Sequence, residues 1–338
     1  MMGFSIAICG LPNVGKTTLF CALTRKQAKI SPVPFTTISP NVAKVEIDDE
    51  RLKKLAEFVK PEKVTPAFIE FWDIAGLVKD AYKGEGLGNQ FLAQIRHCLA
   101  VLMVARAFED ENVENFLGEI NPEKEFEILT TEFLMKDLET VENSLLKTKE
   151  KKKKEILEKI RDFLQKGKKV SEIPLKESEK EEIKDYNFLT QKPQIYIVNT
   201  NSKKREFPYL RKDAIFINLK EELEAFELSE KEREEIGFKS KLPEIIKKAY
   251  EVLDLITFFT IAGGKEVRAT TLKRGSNILE AAMKIHSDFA KHFVKAEVIF
   301  WDDLIKFKSL KEAKEKAKIK IVGKDHIVED GEVIEFKI

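Results

Sequence analysis

An α/β fold is predicted, interrupted by a helical insertion and followed by a small α+β unit. Three observations carry this. The apolar run "FSIAIC" leads through "GLPNVGKT" into the helical "TLFCALTRK". Further strand runs end in polar residues at "AFIEFWD" and "QIYIVN", with a long helical stretch between them. From Ile256 the pattern changes to short alternating strands, "TFFTIAG", "EVRATTLK", "AEVIF", "IVED" and "GEVIEFK", around the helical run "NILEAAMKIHSDFAKHF".

The first strand and its loop are the most specific signal. Gly10, Gly15, Lys16 and Thr17 occupy every fixed position of GxxxxGK[ST], in the strand-to-helix context that this phosphate loop requires. Gly10 and Gly15 let the backbone wrap an anion. The N–H groups of the loop, those of Asn13, Val14 and Gly15 among them, then point inward, and the next helix presents its positive N-terminus. Lys16 reaches the β- and γ-phosphates, the Thr17 hydroxyl ligates Mg²⁺, and Thr18 touches the α-phosphate. The fold is therefore expected to be a doubly wound, Ras-like P-loop nucleoside triphosphatase. Cys9 and Cys21 beside the loop read as small apolar residues.

The second strand, "AFIEFWD", ends in Asp73, with Gly76 at DxxG spacing. A strand-end carboxylate near Mg²⁺ and a glycine that bonds the γ-phosphate through its N–H form one GTPase-type element. Between the two motifs, "SPVPFTTISPN" (31–41) is a polar connection in which a Thr can complete the metal shell when γ-phosphate is present. A Pro-rich surface loop is the plainer reading of the same segment. After DxxG, Gly84, Gly86 and Gly88 make a glycine-rich stretch of the kind that moves in switch proteins.

Base recognition departs from the GTPase pattern. The strand "QIYIV" runs into Asn199, Thr200, Asn201 and Ser202, where NKxD would place a carboxylate fourth. A Ser hydroxyl cannot offer the paired acceptors that read guanine, so strong guanine selection is not expected and adenine is favoured. Asn199 and the backbone near Thr200 are the expected base contacts. Leu77 stands where a Gln would orient water, which predicts slow hydrolysis. Asn13 is a candidate helper, through K⁺ held beside the phosphates.

Composition limits the alternatives. In 338 residues, 59 Lys and Arg nearly cancel 58 Asp and Glu, so no global charge draws the chain to nucleic acid or membrane. Neither a DNA nor a membrane partner is expected. Cys9, Cys21 and Cys98 lack metal-ligand spacing and, being odd in number, do not suggest a disulfide framework. The opening "MMGFSIAICG" lacks the basic start of a signal peptide. Cytoplasmic location is the expectation.

The insertion begins near residue 131. Leu134, Leu138, Val141 and Leu145 make a coiled-coil seam, broken at "KTKEKKKK" and resumed at Ile156, Ile160 and Phe163. Two antiparallel helices with the lysines near the tip, or one long helix, both fit. The six lysines of 147–154 carry charge enough for RNA phosphates, and a solvated tip explains them equally well. The expected boundaries are 1–130 with 193–252 for the nucleotide domain, 131–192 for the helical insertion and 253–338 for the last domain. In that domain Lys273, Arg274, Lys284, Lys291 and Lys295 could form a basic face, while His286 and His292 lack metal-ligand helix spacing. Trp72 and Trp301 read as core or rim aromatics.

Taken together, GLPNVGKT, VPFTTISPN, DIAGLV and KGEGLGNQFL resemble the YchF family, an ATP-preferring branch of the Obg-related P-loop proteins. "RAFED", "NPEKEFEILTTEFLMKDLETVE" and the C-terminal "ITFFTIAGGKEVRATTLKRGSNILEAAMKIHSDFAKHFVKAEVI" extend the resemblance over essentially the whole chain. It implies a C-terminal TGS (ubiquitin-like) domain, Thr37 as the Mg²⁺-sensing switch Thr, and an apolar residue at Leu77 as a family trait. It also implies ribosome or rRNA association and a link to translation or stress control. Ser202 departs from the family, which usually carries Glu there. The expected activity is a slow, Mg²⁺-dependent switch that hydrolyses ATP to ADP and GTP (to GDP) less well. A ribosome-binding module with a structural nucleotide, and a true GTPase, are the rivals. A P-loop kinase has little support, for want of an acceptor-binding lid.

Overall fold

A computed structural model describes residues 3–24, 30–32, 41–74, 89–201, 207–307, 309, 312–313 and 319–338. In chain order the first part holds β1 (Ser5–Cys9), α1 (Lys16–Thr24), β2 (Ile30–Pro32), β3 (Asn41–Glu46), α2 (Glu50–Val59), β4 (Lys63–Thr65), β5 (Phe68–Asp73), α3 (Asn89–His97) and β6 (Ala100–Ala107). The helical stretch follows as α4 (Pro122–Leu145), α5 (Lys151–Gln165) and α6 (Glu177–Ile183). Then come β7 (Gln194–Thr200), β8 (Ile215–Ile217), α7 (Leu219–Glu224), α8 (Glu230–Glu235) and α9 (Leu242–Val252). The C-terminal part is β9 (Leu255–Ala262), β10 (Glu266–Lys273), α10 (Ile278–Ile285), α11 (Ser287–Lys291), β11 (Lys295–Phe300), α12 (Trp301–Leu304), β12 (Lys320–Val322) and β13 (Glu332–Lys337).

A seven-stranded sheet runs in the order β2-β3-β5-β1-β6-β7-β8. The five strands from β5 through β1, β6 and β7 to β8 are parallel to one another. Every residue of β1 and β6 is buried, as expected of strands covered on both faces. Because β1 lies between β5 and β6, the loop that leaves its C-terminal end opens where the strand order turns, the usual ligand position in such sheets.

The chain divides into two compact units, and the division differs from the expected boundaries. One unit comprises Phe4–Ala43 and Glu70–Ile245. The other comprises Lys44–Ile69 and Ile246–Ile338. Residues 44–69 and 246–252, expected in the nucleotide domain, thus belong with the C-terminal sheet. That sheet runs β12-β11-β13-β9-β10-β4, with β4 parallel to β10. Its strands alternate between two cores. Phe258, Val298 and Ile334 face Ile278 and Ala281 of α10, whereas Phe259, Ile299 and Val333 face Leu52 and Leu55 of α2. α2 shares the cover of the second face with Leu304 and Ala313, and burial of Leu52 and Leu55 against it is why the excursion packs there. Asp49 caps α2 by accepting from the Arg51 N–H, and Lys60 closes it at φ 53°.

Three further expectations are corrected. α4 starts at Pro122, not near 131, because the Asn121 side chain accepts from the Lys124 N–H and Pro122 opens the first turn. The run "IVED" is no strand: Ile327 makes only an isolated bridge to Asn277, and the fifth strand of that region is β12. The helical run 277–293 breaks at His286, which is extended (φ −163°, ψ 145°) and whose Nδ1 accepts from the Asp288 N–H to start α11. Between α4 and α5, residues 146–150 form a link, so the seam belongs to a helical hairpin rather than one long helix. Its core is Val141, Ile156, Leu157, Ile160 and Leu164, with Leu134, Leu138, Leu145 and Phe163 packed against them. Among the described residues no helix is long and apolar enough to cross a membrane.

Candidate functional site

The phosphate loop of residues 10–17 turns sharply from β1 into α1. Asn13 (φ 61°) and Gly15 (φ 105°) adopt left-handed backbone. A Cβ on Gly15 would lie 2.5 Å from the Asn199 amide nitrogen, and one on Gly10 would lie 2.5 Å from the Val104 carbonyl oxygen. Gly10 is therefore required by close approach and Gly15 by both conformation and space.

Lys16 is buried, and its Nζ donates to the carbonyls of Gly10 (3.0 Å) and Leu11 (2.7 Å). Burial lowers its pKa, opposed by Cys9, Asp73 and Glu125. The ammonium is thus held under the loop by neutral carbonyls, ready for a more strongly charged partner. Burial pushes the Cys9 thiol up to about 12, so it stays neutral, in keeping with an apolar role.

Thr17 Oγ1 donates to Asp73 Oδ2 at 3.2 Å. The register that pairs Ile8 with Asp73 brings the two together at the sheet's edge of the loop. Burial raises the Asp73 pKa, and the Thr17 bond and Lys16 act against it. A hydroxyl and a buried carboxylate in contact are hard oxygen donors that fit Mg²⁺, which takes few protein ligands when phosphates supply the rest. No group of three or more His, Cys, Asp or Glu among the described residues could hold a metal by itself.

Beside these residues lies a cavity of about 830 Å³. Asn13, Gly15, Lys16, Thr17 and Thr18 line it together with Asn199 and Thr200. Val14 enters through its carbonyl, which accepts from Asn199 Nδ2 at 3.0 Å. Asn199 Oδ1 accepts from the Leu219 N–H at 3.3 Å. Both polar atoms of Asn199 therefore brace the phosphate loop against α7. Thr37, Gly76, Leu77 and Ser202 lie outside the described residues.

The structure adds lining residues that motif reading missed: Phe108, Glu109, Asp110 and Val113 after β6, and Asn218, Lys220, Glu221 and Glu224 around α7. Asn218 caps α7 by accepting from the N–H groups of Lys220 and Glu221. It also adds buried Arg106, whose side chain holds the 108–114 wall, and buried Glu125, which accepts the Arg106 N–H. One signal was available in the sequence: a lone Arg ending the otherwise apolar run "AVLMVARA".

Comparisons with known proteins agree with this geometry. Residues 5–171 match the family described as a 50S ribosome-binding GTPase. Residues 255–338 match the YchF GTPase C-terminal family, described as a protein of unknown function (DUF933). The chain is 42% identical over 360 residues to the ribosome-binding ATPase YchF of Buchnera aphidicola subsp. Schizaphis graminum, covering 99% of both chains. It is 39% identical over 364 residues to the protein of that name from Bacillus subtilis, again covering 99% of both. The solved Schizosaccharomyces pombe YchF GTPase superposes with a TM-score of 0.86 at 32% identity, over 100% of this chain and 98% of that one. A phosphate loop, a hydroxyl–carboxylate pair and a nucleoside-sized cavity on a chain that matches these relatives from end to end make it a member of the YchF family.

Proposed function

We propose that the protein is a Mg²⁺-dependent nucleoside triphosphatase that works as a molecular switch, hydrolysing ATP to ADP and phosphate, and GTP less well. The observation that carries this is the convergence of Lys16 and Thr17 on the cavity lining, with Asp73 bonded to Thr17 behind them. Mg²⁺, held by the Thr17 hydroxyl and supported by Asp73, would supply charge neutralisation at the β- and γ-phosphates. Lys16 exchanges its two carbonyl partners for phosphate oxygens, and the loop N–H groups orient the chain of phosphates. Water adds to the γ-phosphorus as the bond to the β–γ bridging oxygen breaks. Leu77 has no group to orient that water, so the intrinsic rate is slow. Asn13 can assist with K⁺ beside the phosphates, a role to be tested by comparing rates in Na⁺ and K⁺. Thr37 and Gly76 sense the γ-phosphate, and Asn199 with the Thr200 backbone bounds the base.

The same reading assigns the helices between β6 and β7 to an inserted helical domain and the C-terminal sheet to a TGS domain. It places the protein in the cytoplasm, on the ribosome. The relatives' name supports ribosome association, and the lysines at the hairpin link and the first turn of α5 are a candidate contact for rRNA. A second reading, a ribosome-binding module with a structural nucleotide, is favoured by Leu77 alone. A true GTPase is favoured by the family description.

Calorimetry with ADP, ATP, GDP and GTP in Mg²⁺ tests base choice: tighter guanine binding would overturn the ATP assignment. Ribosome affinity measured with ATP and with ADP tests the switch. Equal affinity in both would leave the binding-module reading, since a ligand without differential affinity shifts nothing.

A further inference from the structure

Arg106 stands near the end of β6, 3% exposed, level with Asn199 on β7. Its guanidinium makes no hydrogen bond to a carboxylate among the described residues. It is turned back onto the loop that follows its own strand. Nε donates to the Phe108 carbonyl (3.1 Å), Nη1 to those of Val113 (3.0 Å) and Glu114 (3.1 Å), and Nη2 to that of Asp110 (3.3 Å). The guanidinium carbon also lies 4.3 Å from the Phe108 ring centroid. Only the fixed fork of an arginine can hold four carbonyls of one loop at once, whereas a lysine offers a single nitrogen.

The loop held this way is a wall of the nucleotide cavity. It is tied to the phosphate loop by Asn13 Nδ2, which donates to the Glu114 carbonyl (3.2 Å). It is tied to the end of β7 by Asn201 Nδ2, which donates to the Glu109 carbonyl (2.9 Å). Behind the wall, the Arg106 N–H donates to Glu125 Oε2 at 2.9 Å. Glu125 is buried in the first turn of α4, the helix that runs on into the hairpin. It does not line the cavity.

We propose that Arg106 and Glu125 are positioning residues that couple the nucleotide cavity to the helical hairpin: the Arg106 side chain shapes the 108–114 wall, and Glu125, which holds the Arg106 backbone at the end of β6, ties the root of that wall to the start of α4. The proposal rests on the cavity being the nucleotide site. Nucleotide seated against the wall then steadies the first turn of α4. Conversely, a load on the hairpin that draws α4 away loosens the wall and speeds nucleotide release.

The test uses full-length Arg106→Lys, Glu125→Gln and Glu125→Ala with MgATP and MgADP. Dissociation is followed by stopped flow and affinity by calorimetry. Hydrogen exchange reports on residues 122–133. Failure of the unaltered protein to bind either nucleotide would sink the functional reading itself, apart from this inference. With binding established, Arg106→Lys is expected to weaken both nucleotides about tenfold through faster release, with kcat at saturation within about twofold. Glu125→Ala should weaken them several-fold without touching ligand. Glu125→Gln keeps an acceptor for the Arg106 N–H and should stay within about twofold. MgADP should slow exchange at the start of α4 in the unaltered protein and fail to do so in Arg106→Lys. Unchanged release in both Arg106→Lys and Glu125→Ala, each folded by its unfolding midpoint, would overturn the proposal. So would an equal loss in Glu125→Gln and Glu125→Ala. Where Glu125→Ala fails to fold, Arg106→Lys against Glu125→Gln decides it.

Discussion

Helix α4 carries two buried carboxylates, and they are compensated very differently. Asp137, fully buried, accepts from the N–H groups of Leu189 and Thr190 and from the Thr190 hydroxyl, each at 2.8 Å, with an Arg96 nitrogen 3.9 Å away. Glu125, equally hidden, accepts the Arg106 N–H. Burial raises the pKa of both, in Glu125 to about 7. The comparison teaches that burial alone does not define a carboxylate's role; the number of donors brought to it does. Asp137 anchors the chain's return from the helical stretch to β7. Glu125 is shifted toward neutrality and holds the backbone of the strand residue whose side chain grips the cavity wall.

Asp137→Ala should produce the largest effect. It strands three buried donors and should cost about 3–5 kcal/mol in urea unfolding. A cost below about 1 kcal/mol would mean that water replaces the carboxylate, and the contrast with Glu125 would fail.

Glu125 should behave the other way. Its folded pKa, about 7, exceeds the ordinary 4.5, so the folded state holds the proton more tightly. Stability is greatest below about pH 4.5 on this account and falls through pH 7, by roughly 3 kcal/mol at most. Glu125→Gln should remove that slope from a series of unfolding midpoints across this range, and an unchanged slope would assign the titration elsewhere.

Thr190→Val sharpens the Asp137 side. It removes one donor to Asp137 and the acceptor for the Val170 N–H (3.0 Å), so calorimetric unfolding should register about 1–2 kcal/mol. The smallest effect belongs to the hairpin's exposed end. The Lys152–Glu182 pair (3.1 Å) is open to solvent, and Lys152→Ala should change the unfolding free energy by no more than a few tenths of a kcal/mol.

Local chemistry was legible in the sequence, and long-range partnership was not. Gly15, Lys16, Thr17 and Asp73 declare themselves because phosphate and metal demand fixed types at fixed spacing. The alternation of β9, β11 and β13 was equally plain. The start of α4 was signalled by Asn121 and Pro122, yet a seam sought from Leu134 passed over Phe126, Leu129 and Phe133 upstream. Arg106 and Glu125 match no motif, since their meaning lies in which carbonyls and which N–H they reach. The membership of α2 was unreadable for the same reason. Its apolar face is visible at Leu52 and Leu55, but nothing local says that Phe259 and Val267 cover it.

That pairing has a consequence during synthesis. Leu52, Leu55 and Ala67 leave the ribosome early, and β10, on which β4 lies, is made some two hundred residues later. Through most of translation this segment has no partner of its own chain. The growing polypeptide therefore carries an apolar flap until its last quarter appears, a window in which a chaperone or a premature stop would matter most.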